Sequence, residues 1–154
     1  MKVVIASDHA GYEAKKQLVD YLQRKGFSVA DFGANSTESC DYPDFAYAAA
    51  IAVSKGEFDR GILICGTGVG ISIAANKVKG IRCALCYNEF CAEFSRRHND
   101  AQIMAMGART IPVETMKTLA DIFLTTDFEG GRHSRRVNKI SAIERGEDPL
   151  KIQE

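Results

Sequence analysis

Five short apolar runs, each followed by a stretch of helical periodicity, constrain this chain more than any other feature. The runs are Lys2–Ala6, Phe27–Phe32, Gly61–Cys65, Ile81–Cys86 and Gln102–Met106. From Gly11 to Lys25 the apolar residues Ala14, Leu18, Tyr21 and Leu22 fall on one helical face, and Gly26 supplies a left-handed stop. Further helices are expected from Pro43 to Gly56, from the glycines after Cys65 to about Lys77, and from Glu89 to Arg97. Two more run from Pro112 to Thr125, with Met116, Leu119, Ala120 and Phe123 inward, and from Ser134 to Arg145. Gly61–Cys65 is apolar on both faces, as the centre of a parallel sheet requires. Strict alternation predicts an α/β protein of the three-layer α/β/α, Rossmann-like class, with a five-stranded parallel sheet and a C-terminal helix. The 154 residues show no repeat, low-complexity tract or linker, so one domain over 1–154 is expected.

Parallel sheets of this kind bind ligands outside the carboxyl ends of their strands. That rule gathers Asp8 and His9 after the first strand, Cys65 to Gly70 after the third and Arg109 beyond the fifth. Cys65-Gly66-Thr67-Gly68-Val69-Gly70 carries the most chemistry. Three alternating glycines let the backbone curl with its N–H groups inward, and a helix follows at once, so the loop suits an anion. The anion is either a phosphate or the oxyanion of a reaction intermediate. The dinucleotide pattern G-x-G-x-x-G fails, because Ile71 holds the place of the third glycine, and no lysine–serine pair of a P-loop follows.

A cysteine beside a helix N-terminus and an oxyanion hole suits a nucleophile or a general base. Cys65 stands in such a place, although a small buried hydrophobe is the commoner fate of cysteine. Cys83 and Cys86 form C-x-x-C, but three residues apart on a strand they face opposite ways, and no second pair completes a zinc site. Cys91 reads as core. His9, His98 and His133 all lie in polar segments, where each alone reads as structural or solvated. Arg132-His133-Ser134-Arg135-Arg136 opens the last helix with cations that the dipole disfavours, which hints at an anionic ligand. With the thiol and the glycine loop, this arginine cluster is expected at one end of the sheet.

Twenty basic residues balance twenty acidic ones, giving no overall charge for nucleic acid or an anionic membrane. No apolar run is long enough to span a bilayer. Five cysteines, an odd number, and an N-terminus without a signal-peptide pattern point to free thiols and a cytoplasmic setting.

Five segments together resemble the type B ribose-5-phosphate isomerases, a family that also includes galactose and allose 6-phosphate isomerases. They are Ser7-Asp8-His9-Ala10-Gly11, Asp41-Tyr42-Pro43, Cys65-Gly66-Thr67-Gly68-Val69-Gly70-Ile71-Ser72, Arg97-His98-Asn99-Asp100 and Gly130-Gly131-Arg132-His133. The resemblance covers essentially the whole chain. It implies interconversion of ribose 5-phosphate and ribulose 5-phosphate through an enediolate, with neither metal nor organic cofactor. By the resemblance Cys65 is the base, and the amides of Gly66, Thr67, Gly68, Val69 and Gly70, with Thr67, hold the enediolate oxygen. His98 helps to open the furanose ring, Asn99 contacts the sugar, and Asp8 binds a hydroxyl. His9, Arg109, Arg132 and Arg136 match the phosphate-binding set. A glutamate base used by some members has no counterpart, since Ile71 occupies its place. Sites shared between subunits of a homodimer or tetramer are implied, with His98 and Asn99 from the neighbour. A six-carbon sugar phosphate is the alternative substrate, and a non-catalytic phosphosugar-binding module or a thiol-dependent transferase the alternative functions.

Overall fold

The computed structural model describes residues 1–152. Its strands are β1 (Lys2–Ser7), β2 (Ser28–Asp31), β3 (Arg60–Cys65), β4 (Cys83–Leu85) and β5 (Ile103–Gly107). Its helices are α1 (Tyr12–Arg24), α2 (Tyr42–Ser54), α3 (Val69–Ala75), α4 (Glu89–Arg97), α5 (Val113–Thr125) and α6 (Arg132–Glu144). Short 3₁₀ turns lie at His9–Gly11 and Pro149–Lys151. The sheet has the order β2-β1-β3-β5-β4 and every pairing is parallel.

Alternation along the strands divides the core into two layers. Val3, Ile5, Ile62, Ile64, Met104 and Met106 point to one face and pack with Leu18, Leu22, Met116, Leu119 and Phe123 of α1 and α5. Val4, Ala6, Leu63, Cys65, Ile103 and Ala105 point to the other and pack with Ala46, Ala49, Val53 and Ile71 of α2 and α3. Small alanines on α2 let that helix approach the sheet closely. Cys86 joins the first layer and Cys83 borders the second, so the C-x-x-C pair does face opposite ways. No helix among the described residues is long and apolar enough to cross a membrane.

Two boundaries differ from the sequence reading for identifiable reasons. β4 is three residues, not six, because side chains take over its entrance: Gln102 Oε1 accepts the Arg82 N–H at 2.8 Å and Asn76 Oδ1 the Cys83 N–H at 2.8 Å. α6 opens at Arg132, two residues before the expected Ser134, directly after Gly130 and Gly131, both at positive φ. Gly26 stops α1 as expected, at φ +91°.

A half-buried ion pair steadies the sheet edge next to the site. Lys15, fully buried on α1, is paired with Asp31 at the end of β2. Asp31 Oδ1 also accepts the Gly33 N–H at 2.8 Å, and the Gly33 carbonyl accepts the Ser7 N–H at 2.6 Å. The chain leaving β1 is thereby fixed where Asp8 begins.

Candidate active site

β3 delivers the centre of the site. Its last residue, Cys65, is only 4% exposed. The chain then turns through Gly66-Thr67-Gly68 into α3, with Gly68 at φ +79°. Only glycine adopts that conformation without strain. Space forbids a side chain there too, since a Cβ would lie 2.6 Å from Leu85 Cδ1 and 2.8 Å from the Met106 carbonyl carbon. The curl aims the Gly68 N–H at Cys65 Sγ, 3.1 Å away. Thr67 is exposed on the turn, its Oγ1 accepting the Val69 N–H at 3.2 Å.

Neighbouring strand ends complete this half. The Ala108 and Arg109 N–H groups donate to the carbonyls of Cys65 and Gly66, each at 2.9 Å, which sews the β5 exit to the glycine turn. The Arg109 guanidinium lies against Gly66, where a Cβ would be 3.1 Å from Nη1. Asp8 is buried and caps the 3₁₀ turn, its Oδ1 accepting from the Ala10 N–H at 2.9 Å and the Gly11 N–H at 3.1 Å. His9 Nδ1 accepts the Cys40 N–H at 3.2 Å, so the loop before α2 closes over the β1 exit. Tyr42, to which sequence reasoning gave no role, stands over Gly70, where a Cβ would be 2.6 Å from Cζ of its ring. Asp8, His9, Cys65 to Gly70 and Arg109 therefore meet at the carboxyl ends of the strands.

His98, Asn99, Arg132 and Arg136 do not join them. Arg82, just before β4, donates from Nε to the Asn99 carbonyl at 2.8 Å and from Nη2 to the Asp100 carbonyl at 2.9 Å. That places the end of α4 at the amino ends of the strands. α6 starts at the same end, because the Glu129 N–H donates to the Arg97 carbonyl at 3.0 Å. The expected arginine cluster is thus at the opposite end of the sheet from Cys65. The reason is connectivity: α5 carries the chain back down, and no further strand returns it before α6.

The two ends form separate constellations in one chain. At the second end His98 and His133 stack, with ring centroids 3.9 Å apart and planes 9° from parallel, and Phe94 meets His98 edge-on at 4.6 Å. Glu129 Oε2 lies 3.6 Å from His98 Nε2 and 3.5 Å from His133 Nε2. Arg97 holds the other oxygen, Nε donating to Glu129 Oε1 at 2.6 Å, and keeps the Glu129 carboxyl below the usual glutamate range. His133 is buried, the structural of the two alternatives its polar segment left open. Burial foremost, then the charges of His98, Arg132 and Arg136, lower its pKa from the ordinary histidine value.

Comparison with known proteins supplies the family. The model of the ribose/galactose isomerase family matches residues 3–140. Ribose-5-phosphate isomerase B of Escherichia coli is 48% identical over 143 residues, covering 93% of this chain and 96% of that protein. The chain belongs to the ribose/galactose isomerase family. A structure of ribose-5-phosphate isomerase B from Clostridium thermocellum superposes with TM-score 0.94 at 52% identity, covering 95% of this chain and 99% of that one. D-erythrulose-4-phosphate isomerase of Pectobacterium atrosepticum is 43% identical over 148 residues, covering 96% of this chain and 97% of that protein. The enzyme is accordingly an aldose–ketose isomerase with a Rossmann-like three-layer fold.

Among the described residues, His98, Glu129 and His133 bring three ligand-type atoms within 4.8 Å of one another. Nearly parallel rings cannot both hold one ion in their planes, and Arg97 already neutralises the carboxylate. The arrangement fits a proton-handling cluster better than a metal site. Cys83 and Cys86 are poor candidates for chemistry as well. Burial pushes the Cys86 thiol up to about 12 and Cys83 higher still, so both stay protonated.

Proposed function

We propose that this isomerase interconverts D-ribose 5-phosphate and D-ribulose 5-phosphate with Cys65 as the base. The observation that carries the reading is the Gly68 N–H directed at Cys65 Sγ in a turn that only glycine can make. That donor fixes the sulfur beside the N–H groups of the turn, so base and anion hole lie side by side. From the open-chain aldose the thiolate takes the C2 proton, and the electron pair moves through C1–C2 onto O1. The resulting enediolate is held by the N–H groups of Gly66 to Gly70 and by Thr67. Return of the proton to C1, with transfer of the O2 proton to O1, completes the ketose.

Remote contacts orient these atoms. His9 and Arg109, beside the thiol, and Arg132 and Arg136, at the other end, are the phosphate and sugar handles, and Asp8 takes a hydroxyl. Arginine's planar fork suits phosphate oxygens. His98 gives a proton to the ring oxygen as the C1–O4 bond breaks, and Asn99 contacts the opened sugar. A homodimer is proposed, because one chain holds the two groups of residues at opposite ends of its sheet. A neighbouring copy brings His98, Asn99, Arg132 and Arg136 to Cys65. The proposed proton transfer uses Cys65 and the N–H groups of the turn and routes no step through a metal or an organic cofactor.

Five carbons is the preferred length because relatives at 48% and 52% identity are ribose-5-phosphate isomerases. A relative named for a four-carbon sugar phosphate makes length the property to measure. The test follows ketose formation by NMR with ribose 5-phosphate, erythrose 4-phosphate, allose 6-phosphate and galactose 6-phosphate. The highest kcat/KM is expected for ribose 5-phosphate. A higher value for another sugar would correct the substrate, and no turnover of any by folded protein would overturn the isomerase reading.

A further inference from the structure

We infer that Glu129 is a positioning residue for ring opening, holding His98 ready to deliver its proton to the sugar ring oxygen. The inference deepens the proposed function and rests on the His98 role stated there. Three observations bear on it. Glu129 Oε2 sits between the two histidines, 3.6 Å from His98 Nε2 and 3.5 Å from His133 Nε2. Its other oxygen is fixed by Arg97, and its backbone N–H is fixed by the Arg97 carbonyl at 3.0 Å. The His133 Nε2 is buried without a hydrogen-bond partner, and the Glu129 carboxylate is the acid beside it.

The charges at this corner divide the work between the two rings. His133 is the buried ring, and burial foremost, then the charges of His98, Arg132 and Arg136, lower its pKa from the ordinary histidine value. His98 is one-third exposed, so substrate can reach it, and it has the carboxylate close by. A cationic imidazole beside a carboxylate is favoured, as is a cation stacked on a neutral ring rather than on a second cation. Of the two rings, His98 is therefore the one placed to act on substrate with the carboxylate beside it. Phe94 packs against it edge-on and His133 covers one face, which restrains the ring beside Glu129. Arg97 spans α4 and the Asp127–Gly131 segment, and it sets the carboxylate at this distance through pairs with both Glu93 and Glu129. In ring opening the proton passes from His98 to O4 as the C1–O4 bond breaks. The C1 hydroxyl releases a proton to solvent and becomes the aldehyde, so charge and atoms balance. Glu129 touches no reacting atom in this step.

Ring opening can be read apart from isomerisation. A Cys65→Ala protein cannot move the C2 proton, yet it still opens and recloses the ring, which exchanges the α and β anomers of ribose 5-phosphate. Exchange is measured by NMR magnetisation transfer at the anomeric carbon with Cys65→Ala alone, then with His98→Asn or Glu129→Gln added. Binding of acyclic ribitol 5-phosphate, which has no ring to open, is measured in parallel. The expected result is acceleration by Cys65→Ala, its abolition by His98→Asn and at least about a tenfold reduction by Glu129→Gln, within what a general acid contributes. Ribitol 5-phosphate affinity should stay within about twofold in the Glu129→Gln protein, unlike the loss a merely structural role would give. Failure of His98→Asn to slow exchange would defeat the His98 reading on which this rests. Slow exchange in His98→Asn with full exchange in Glu129→Gln would overturn the Glu129 inference alone. A parallel loss of ribitol 5-phosphate binding would overturn it too.

Discussion

Cys65 and His98 occupy opposite ends of one sheet, and that separation has a measurable consequence. Cys65 pairs with Gly107 in the β3–β5 register, whereas His98 lies beyond Ile103 at the other end of β5. Four residue steps along the strand lead from Ile103 to Gly107, about 13 Å at ~3.3 Å per step, and His98 lies further out. A five-carbon sugar phosphate with its reacting end at Cys65 cannot also reach His98 of the same chain. Cys65→Ala and His98→Asn should each abolish most turnover of ribose 5-phosphate as homodimers. In a mixed dimer one site carries both lesions and the other carries neither. Two-fold symmetry then predicts about half the wild-type activity per mixed dimer. The assay co-expresses the variants with different affinity tags, isolates the doubly tagged species by two successive captures and follows ribulose 5-phosphate formation. A mixed dimer no more active than its parents would refute the shared site. Activity in the singly tagged His98→Asn dimer near wild type would refute the His98 role instead.

Other expectations follow from particular contacts. Gly68→Ala places a Cβ against Leu85 and Met106 at positive φ, so about 1–3 kcal/mol of stability should be lost in urea unfolding. The same change moves an N–H off Cys65, with kcat expected to fall about 10²–10³-fold. Gly26→Ala, also at positive φ but with open space around it, should lose stability without losing kcat; equal activity in both variants would contradict the turn's role. Asp31→Ala leaves Lys15 buried without its carboxylate and should cost about 3 kcal/mol, whereas a variant within experimental error of wild type would show that the pair contributes nothing. His133 has a lowered pKa in the fold, so the unfolded chain binds its proton more readily. Stability from this residue is present above about pH 6.5 and declines as pH falls below it toward the folded value. The melting temperature of wild type should therefore drop faster than that of His133→Gln between those limits, and parallel curves would contradict the burial argument.

Local chemistry was legible in the sequence where one residue type determines the backbone. The apolar runs became strands, Gly26 stopped α1, and the three glycines after Cys65 formed the tight turn before α3. Pro43 entered the first turn of α2. The grouping of Asp8, His9, Cys65 and Arg109 followed from the rule for strand ends. What alternation could not convey was the end of the sheet to which α6 returns, because no sixth strand follows α5 to fix it. Arg132 and Arg136 were assigned to the wrong end for that reason. Whether His133 was structural or solvated stayed open, because polarity of neighbours in sequence does not report the stacking of His98 or the approach of Glu129 from a preceding loop. The Arg82 contacts that fix Asn99 and Asp100 join residues 17 and 18 apart through side chains, which periodicity cannot register.

Cys65 is proposed to move a proton between C2 and C1 of an open-chain aldose phosphate. The direct test runs ribose 5-phosphate with wild type and Cys65→Ala in deuterium oxide and reads the product by NMR. Wild type should form ribulose 5-phosphate with deuterium entering at C1, while the folded Cys65→Ala protein binds ribose 5-phosphate and forms no ketose. Ketose formation at the wild-type rate by Cys65→Ala would contradict the account.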